Sequence, residues 1–143
     1  IDGRKVGGIL TEMNAEVDQV KYVILGIGVD VNLAESDLPE ELKDVASSVS
    51  IASGKKEDRP ALAAAILEEL DADYARLRRG EFKAVAEEWE SQCITLGRDV
   101  AVTIGSRKFR GRAESLDEDG ALMVRLAHGQ LERITGGDVV LEK

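Results

Sequence analysis

Near Leu96 the hydrophobic period of this chain changes from helical to extended, and that switch limits what it can fold into. Upstream, Leu62, Ile66, Leu70, Tyr74 and Leu77 recur at spacings of four and three, an apolar stripe on a helix that Asp58 or Arg59 and Pro60 open and Gly80 stops. A second helix follows from about Glu81 to Cys93, with Phe82, Val85, Ala86, Trp89 and Cys93 on one face. A one-glycine joint predicts that the two helices form an antiparallel pair. Downstream, RDVAVTIG, KFRGRAESL, GALMVRLA, GQLERITG and DVVLEK are five short strand-like segments. Turn signals at Gly105-Ser106, Asp117–Gly120, His128-Gly129 and Gly136-Gly137 separate them. Five short strands in so little chain predict a small closed or nearly closed barrel, with a domain boundary near Cys93–Gly97.

The first third of the chain reads differently. Arg4–Met13 alternates around an apolar middle and predicts a strand; Asn14–Asp18 reads as a polar connector. Gln19–Asn32 is rich in β-branched residues and predicts the partner strand of an antiparallel hairpin. Its run YVILGIGV is apolar on both faces, which predicts cover on both sides. Leu33–Lys56 reads as irregular, with a short helix at Pro39–Leu42 and a capping or bridging segment at Ala46–Val49.

Several function classes are disfavoured. The formal charge of −9 repels phosphate backbones, so no nucleic-acid partner is expected for these residues. No apolar run is long enough to cross a membrane as a helix, and no membrane partner is expected. One cysteine, Cys93, forms no internal disulfide and fits a reducing, cytoplasmic setting; on the apolar face of its helix it reads as a packed thiol rather than a nucleophile. One Cys and one His cannot make a four-ligand zinc site, and His128 reads as an exposed turn residue. The pairs Glu40-Glu41, Glu68-Glu69 and Glu87-Glu88 read as solvated helix faces.

Two features rise above this background. Lys5 precedes Gly7-Gly8, and Gly26-Ile27-Gly28 falls on the predicted partner strand. Glycine in a strand costs entropy and packs nothing, so it marks close approach by a ligand or backbone. Side by side, the two stretches would make a side-chain-poor floor with one ammonium at its edge, suited to a thin ligand with an anionic end. Two bulged or tightly packed strands would explain the same glycines. The pattern lacks the third glycine and following helix of a dinucleotide fingerprint.

The stretch DGRKVGGILTE at 2–12 resembles a segment of the biotin–protein ligases that carries a Lys, two small residues and Ile-Leu-x-Glu. VILGIGVDVN at 23–32 resembles the family's next strand, which ends in Gly-Ile-Gly-x-Asn-Val. ASSV at 46–49 is similar to its Ala-Thr-Ser-Leu turn. The tail, from Gly97, Val100 and Val102 through Gly111, Ala113, Asp117 and Gly120 to Gly136–Val139, resembles its C-terminal SH3-like barrel.

The resemblance covers nearly the whole chain. It implies an α+β fold: residues 1–94 as the C-terminal part of a class II synthetase-like catalytic domain with a mixed sheet, and residues 95–143 as the barrel. It implies ATP-dependent activation of biotin to biotinyl-5′-AMP, then transfer to a lysine of a biotin carboxyl carrier domain, with Mg²⁺ accompanying ATP. Lys5 matches the catalytic lysine and would contact both biotin and nucleotide. Gly8, Leu10, Gly26, Ile27 and Gly28 match biotin-binding positions, and Val29 and Asp30 nucleotide-binding ones. Asp30 departs from the family's Asn: an amide donates a hydrogen bond, whereas an ionised carboxylate only accepts. Asp30 is therefore also weighed as a Mg²⁺ contact, the one metal candidate. The family's Gly-Arg-Gly-Arg loop and Trp-Pro-Asn-Asp motif have no counterpart here, so the chain is expected to be a fragment, inactive alone, with exposed sheet edges that favour a homodimer. The alternatives are a non-catalytic module that binds a carrier protein, and a relative of the lipoate ligases.

Overall fold

A computed structural model describes residues 1–16 and 19–142. They form two compact units, Ile1–Glu68 and Glu69–Lys143, divided inside one long helix. The class is α+β, as expected: a hairpin, helices, then a five-stranded antiparallel sheet.

In the first unit, β1 (Gly7–Glu16) and β2 (Gln19–Val29) pair antiparallel, with Gly8 opposite Gly28 and Leu10 opposite Gly26. The ladder slips between Asn14 and Ala15. Strand pairing thus continues through Asn14–Glu16, where a connector was expected; Val17 and Asp18, the rest of that connector, lie outside the described residues. At the other end Arg4–Val6 leaves the strand. Lys5 instead makes a single parallel bridge with Ala46, because its N–H donates to the Val45 carbonyl (2.8 Å) and its carbonyl accepts from the Ser47 N–H (2.8 Å).

Short 3₁₀ turns follow at Glu35–Asp37 and Glu40–Leu42. The helix expected at Pro39–Leu42 is this second turn, with Pro39 just outside it. The segment expected to be irregular also holds a helix, α1 (Val49–Ser53), capped by the Ser48 side chain, which accepts from the Ile51 N–H. Helix α2 (Arg59–Arg78) is opened as predicted: the Asp58 carboxylate accepts from the Ala61 N–H at 3.1 Å, and Pro60 sits in the first turn.

The expectation of a hairpin covered on both sides is not met among the described residues. Every residue of β1 except Gly7, and every residue of β2 except Val29, is exposed. Burial needs partners on both faces, and these residues supply only two strands; a two-stranded hairpin is at best marginally stable alone.

The second unit holds the packed core. Gly80, in a left-handed conformation (φ +81°), turns the chain from α2 into α3 (Phe82–Gln92), and Arg76 reaches back to make two hydrogen bonds to Glu88, at 2.8 and 2.9 Å. Then come β3 (Asp99–Ile104), β4 (Arg107–Leu116), β5 (Leu122–Leu126), β6 (Leu131–Ile134) and β7 (Asp138–Leu141), in the order β6-β5-β4-β3-β7. Val100, Val102, Ala113, Val124 and Ile134 are buried together, joined by Leu96, Ile104, Phe109, Leu122, Val139 and Leu141. All five strands contribute, so the sheet rolls around one core; β6 and β7 are its two edges. The three fully buried valines contribute roughly 1.5–3 kcal/mol each. The register slips in β4 between Ala113 and Ser115, and the Glu90 carboxylate accepts from the Leu116 N–H at 2.7 Å, tying α3 to the barrel there. Cys93 is half-buried and His128 is exposed in its turn.

Candidate functional site

Alternation along paired strands sorts the hairpin into two faces. Gly8, Leu10, Glu12 and Asn14 share one face with their partners Gly28, Gly26, Ile24 and Tyr22. Gly7, Ile9, Thr11 and Met13 share the other with Val29, Ile27, Leu25 and Val23, an almost unbroken aliphatic surface. The three glycines Gly8, Gly26 and Gly28 therefore lie together, as the sequence suggested. Ile27 and Val29 do not join them. Their side chains belong to the opposite face, so only their backbone can take part in a site on the glycine floor.

What would occupy the missing side chains explains which glycines the hairpin itself requires. A β-carbon at Gly7 would lie 2.7 Å from the Gly28 carbonyl oxygen, so Gly7 is demanded by the close approach of the two backbones. A β-carbon at Gly28 would meet nothing nearer than the Gly8 carbonyl at 4.0 Å, and one at Gly26 nothing nearer than the Leu10 carbonyl at 3.5 Å. At Gly8 the neighbours would be Cε and Nζ of Lys5, both at 3.7 Å. Nothing in the hairpin forces these three positions to be glycine. The space above them is open, and the Lys5 ammonium stands at its end, over Gly8. That geometry favours the ligand-floor reading over tight strand packing for these three, and the packing reading for Gly7. A flat floor with a cation at one end can hold a thin molecule whose anionic group pairs with Lys5.

Lys5 and Asp30 are held by backbone rather than by side chains. Beyond the bonds of Lys5 to Val45 and Ser47, the Asp30 N–H donates to the Val6 carbonyl (2.9 Å) and its carbonyl accepts from the Val49 N–H (2.8 Å). The Asp30 side chain is exposed. Asn32 is structural: its amide donates to the Glu57 carbonyl and accepts from the Glu57 N–H, both at 2.9 Å. Among the described residues no group of three or more His, Cys, Asp or Glu could hold a metal ion. Two buried polar residues escaped notice as site elements. Ser47 and Ser48 are both fully buried. The one sequence signal was the small-residue turn ahead of a helix, which is legible as a cap and not as a support.

The glycine-faced hairpin with its lysine and the five-stranded antiparallel sheet define an α+β protein with a small β unit at its C-terminal end. Residues 95–142 match the family model of the biotin protein ligase C terminal domain. The bifunctional ligase/repressor BirA of Bacillus spizizenii is 38% identical over 141 residues, which are 99% of this chain and 43% of that protein. The biotin–[acetyl-CoA-carboxylase] ligase of Mycobacterium tuberculosis is 32% identical over 139 residues, 96% of this chain and 48% of that one. The apo biotin protein ligase of Aquifex aeolicus superposes with a TM-score of 0.83 at 27% identity, covering all of this chain and 61% of that chain. The same enzyme in complex with biotin and ATP superposes with a TM-score of 0.77, at 27% identity over 99% of this chain and 57% of that chain. Residues 95–142 thus match the family's C-terminal domain, and nearly the whole chain is similar to the C-terminal part of biotin protein ligases. It spans less than half the length of the curated relatives it matches. Among the described residues no helix is long and apolar enough to cross a membrane.

Proposed function

We propose that these residues serve an ATP-dependent biotin–protein ligase, and that the glycine hairpin holds the biotinyl group with its carboxylate toward Lys5. The observation that carries this reading is the set of three strand glycines that the hairpin does not require, lying on one face beneath the Lys5 ammonium. The biotin- and ATP-bound relative supports it at the level of fold and ligand class.

In the first step the biotin carboxylate attacks the α-phosphorus of ATP, forming biotinyl-5′-AMP and releasing pyrophosphate. Both reactants are anionic, and their approach concentrates negative charge. Lys5 Nζ would neutralise it with an ammonium fixed in place before reaction, the kind of preorganised charge that stabilises a transition state more than a ground state. In the second step a lysine amine of the acceptor attacks the mixed anhydride carbonyl and AMP leaves. Gly8, Gly26 and Gly28 with Leu10 form the floor; Ile27 and Val29 contribute through their backbone. The Asp30 carboxylate lies beside this end of the hairpin and would accept a hydrogen bond, for example from a ribose hydroxyl.

The partner in this reading is a biotin carboxyl carrier domain, presented with help from the barrel, and the setting is the cytoplasm. A homodimer through the hairpin's unpaired edges is a further expectation of the same reading. The test is biotin-dependent exchange of labelled pyrophosphate into ATP by the complete protein. Exchange with biotin and not with lipoate is expected; exchange that lipoate supports and biotin does not would overturn the assignment.

A further inference from the structure

We propose that Ser48 is a positioning residue for the proposed site: a buried clasp that holds the Lys5 and Asp30 backbones to one strap, residues 45–51, and so sets where the ammonium and carboxylate stand. The inference rests on the reading of Lys5 and Asp30 given above.

The strap touches both segments by hydrogen bonds. On one side the Lys5 N–H donates to Val45 and the Ser47 N–H donates to Lys5, each at 2.8 Å. On the other the Val49 N–H donates to Asp30 and the Ser50 N–H donates to Val31, again at 2.8 Å each. The Asp30 N–H closes the set on Val6. Ser48 stands at the centre. Its hydroxyl donates to the Leu33 carbonyl at 2.7 Å and accepts from the Ile51 N–H at 3.1 Å, so one side chain caps α1 and pins the chain just beyond Asp30. Ser50 donates to the same carbonyl at 3.1 Å.

Burial gives the clasp its weight. Ser47 and Ser48 are fully buried, whereas most of the surrounding hairpin is bare to solvent. A backbone hydrogen bond exposed to water exchanges readily with solvent, while one behind a buried hydroxyl does not. The hairpin ladder alone would leave Lys5, two residues ahead of β1, free to swing. An ammonium displaced by an ångström loses much of its effect on a transition state, since positioning itself carries rate.

The experiment compares Ser48→Ala, Ser48→Thr and Asp58→Ala in the complete protein. Asp58→Ala removes a helix cap of similar kind, at Ala61, that holds neither Lys5 nor Asp30. Amide hydrogen exchange is read first, and it does not depend on activity. Ser48→Ala should speed exchange at the Lys5 and Asp30 amides about tenfold, Asp58→Ala should leave them unchanged, and Ser48→Thr, which keeps the hydroxyl, should restore protection. Pyrophosphate exchange with biotin is read second: Ser48→Ala should lower kcat about tenfold with KM for biotin within about twofold, and Thr should recover it. Unchanged protection of both amides in Ser48→Ala overturns the proposal, whatever the activity. Faster amide exchange with unchanged kcat overturns the link to positioning. Faster amide exchange in Ser48→Ala, alongside a wild-type protein that performs no biotin-dependent pyrophosphate exchange, retains the clasp and overturns the ligase reading instead.

Discussion

At the scale of the residue, Lys5 and the glycines have separable duties. The Lys5 backbone makes its structural bonds, while its side chain is exposed and reaches over Gly8. Lys5→Ala in the complete protein is therefore expected to keep its Tm and to lose adenylate formation by on the order of 10²–10³-fold, as when one preorganised charge-stabilising group is deleted. Near-normal synthesis by a folded variant would remove Lys5 from the mechanism. Gly28→Val and Gly7→Val make a matched pair. At Gly28 the first added carbon meets only open space, so biotin affinity should fall sharply with little change in Tm. At Gly7 it would run into the Gly28 carbonyl at 2.7 Å, so the hairpin itself should be strained and Tm should drop. Calorimetric titration and thermal melts of both variants check this; equal losses of affinity and stability in both would defeat the division between floor and packing glycines.

Elements of the barrel are pinned by charged turns as well as by the core. The Asp117 carboxylate accepts from the Asp119 and Ala121 N–H groups at 3.0 and 2.8 Å and pairs with Arg133. The Arg133 hydrogen bond, helped by those backbone donors and by the Arg133 charge, holds its carboxyl below the ordinary Asp range. Glu114 is lowered likewise by its hydrogen bonds to Arg125. A carboxyl depressed in the folded state adds stability that is complete above its unfolded pKa and is lost as pH falls through the lower folded value. The barrel should therefore begin to lose stability below about pH 4. Asp117→Asn keeps an acceptor for the turn and removes the charge. It should lower Tm at neutral pH and flatten its decline on acidification; a variant that declines as steeply as wild type would show that Asp117 does not carry the effect.

Across the whole molecule burial is uneven. The core residues of the sheet are at or near zero exposure, whereas Ile9, Leu10 and Met13 of the hairpin are more than 60% exposed. In the isolated 143-residue chain, hydrogen exchange is expected to be slower across Val100–Leu126 than across β1 and β2, because opening the barrel exposes its core whereas the hairpin has little to expose. Comparable protection in both would mean that the hairpin is covered in solution. The same chain, less than half the length of its curated relatives, is expected not to transfer biotin to a carrier domain when supplied with ATP and Mg²⁺. Transfer above background by the purified chain would place a complete site within these residues.

Much of this was legible along the chain, because periodicity, capping and turn chemistry are local. The helix stripes ended at Gly80, Asp58 did cap α2, and the five strands fell between the turn signals that Gly105-Ser106, Asp117–Gly120, His128-Gly129 and Gly136-Gly137 supplied. Lys5 and the paired glycines also stood out, since strand glycines contradict local preference. What required the tertiary structure was non-local. Register decided that Gly8, Gly26 and Gly28 share a face and that Ile27 and Val29 do not, and a period of two makes any such assignment reverse with a slip of one residue. Backbone pairing with a distant turn pulled Lys5 out of the strand that its alternation predicted. The cover expected on YVILGIGV is likewise a matter of what packs against it, and the described residues leave nearly all of it exposed. A serine in the string SSV carries no mark of being buried; only the fold, by pairing the backbone around Ser48 with Lys5, Asp30 and Leu33, encloses it.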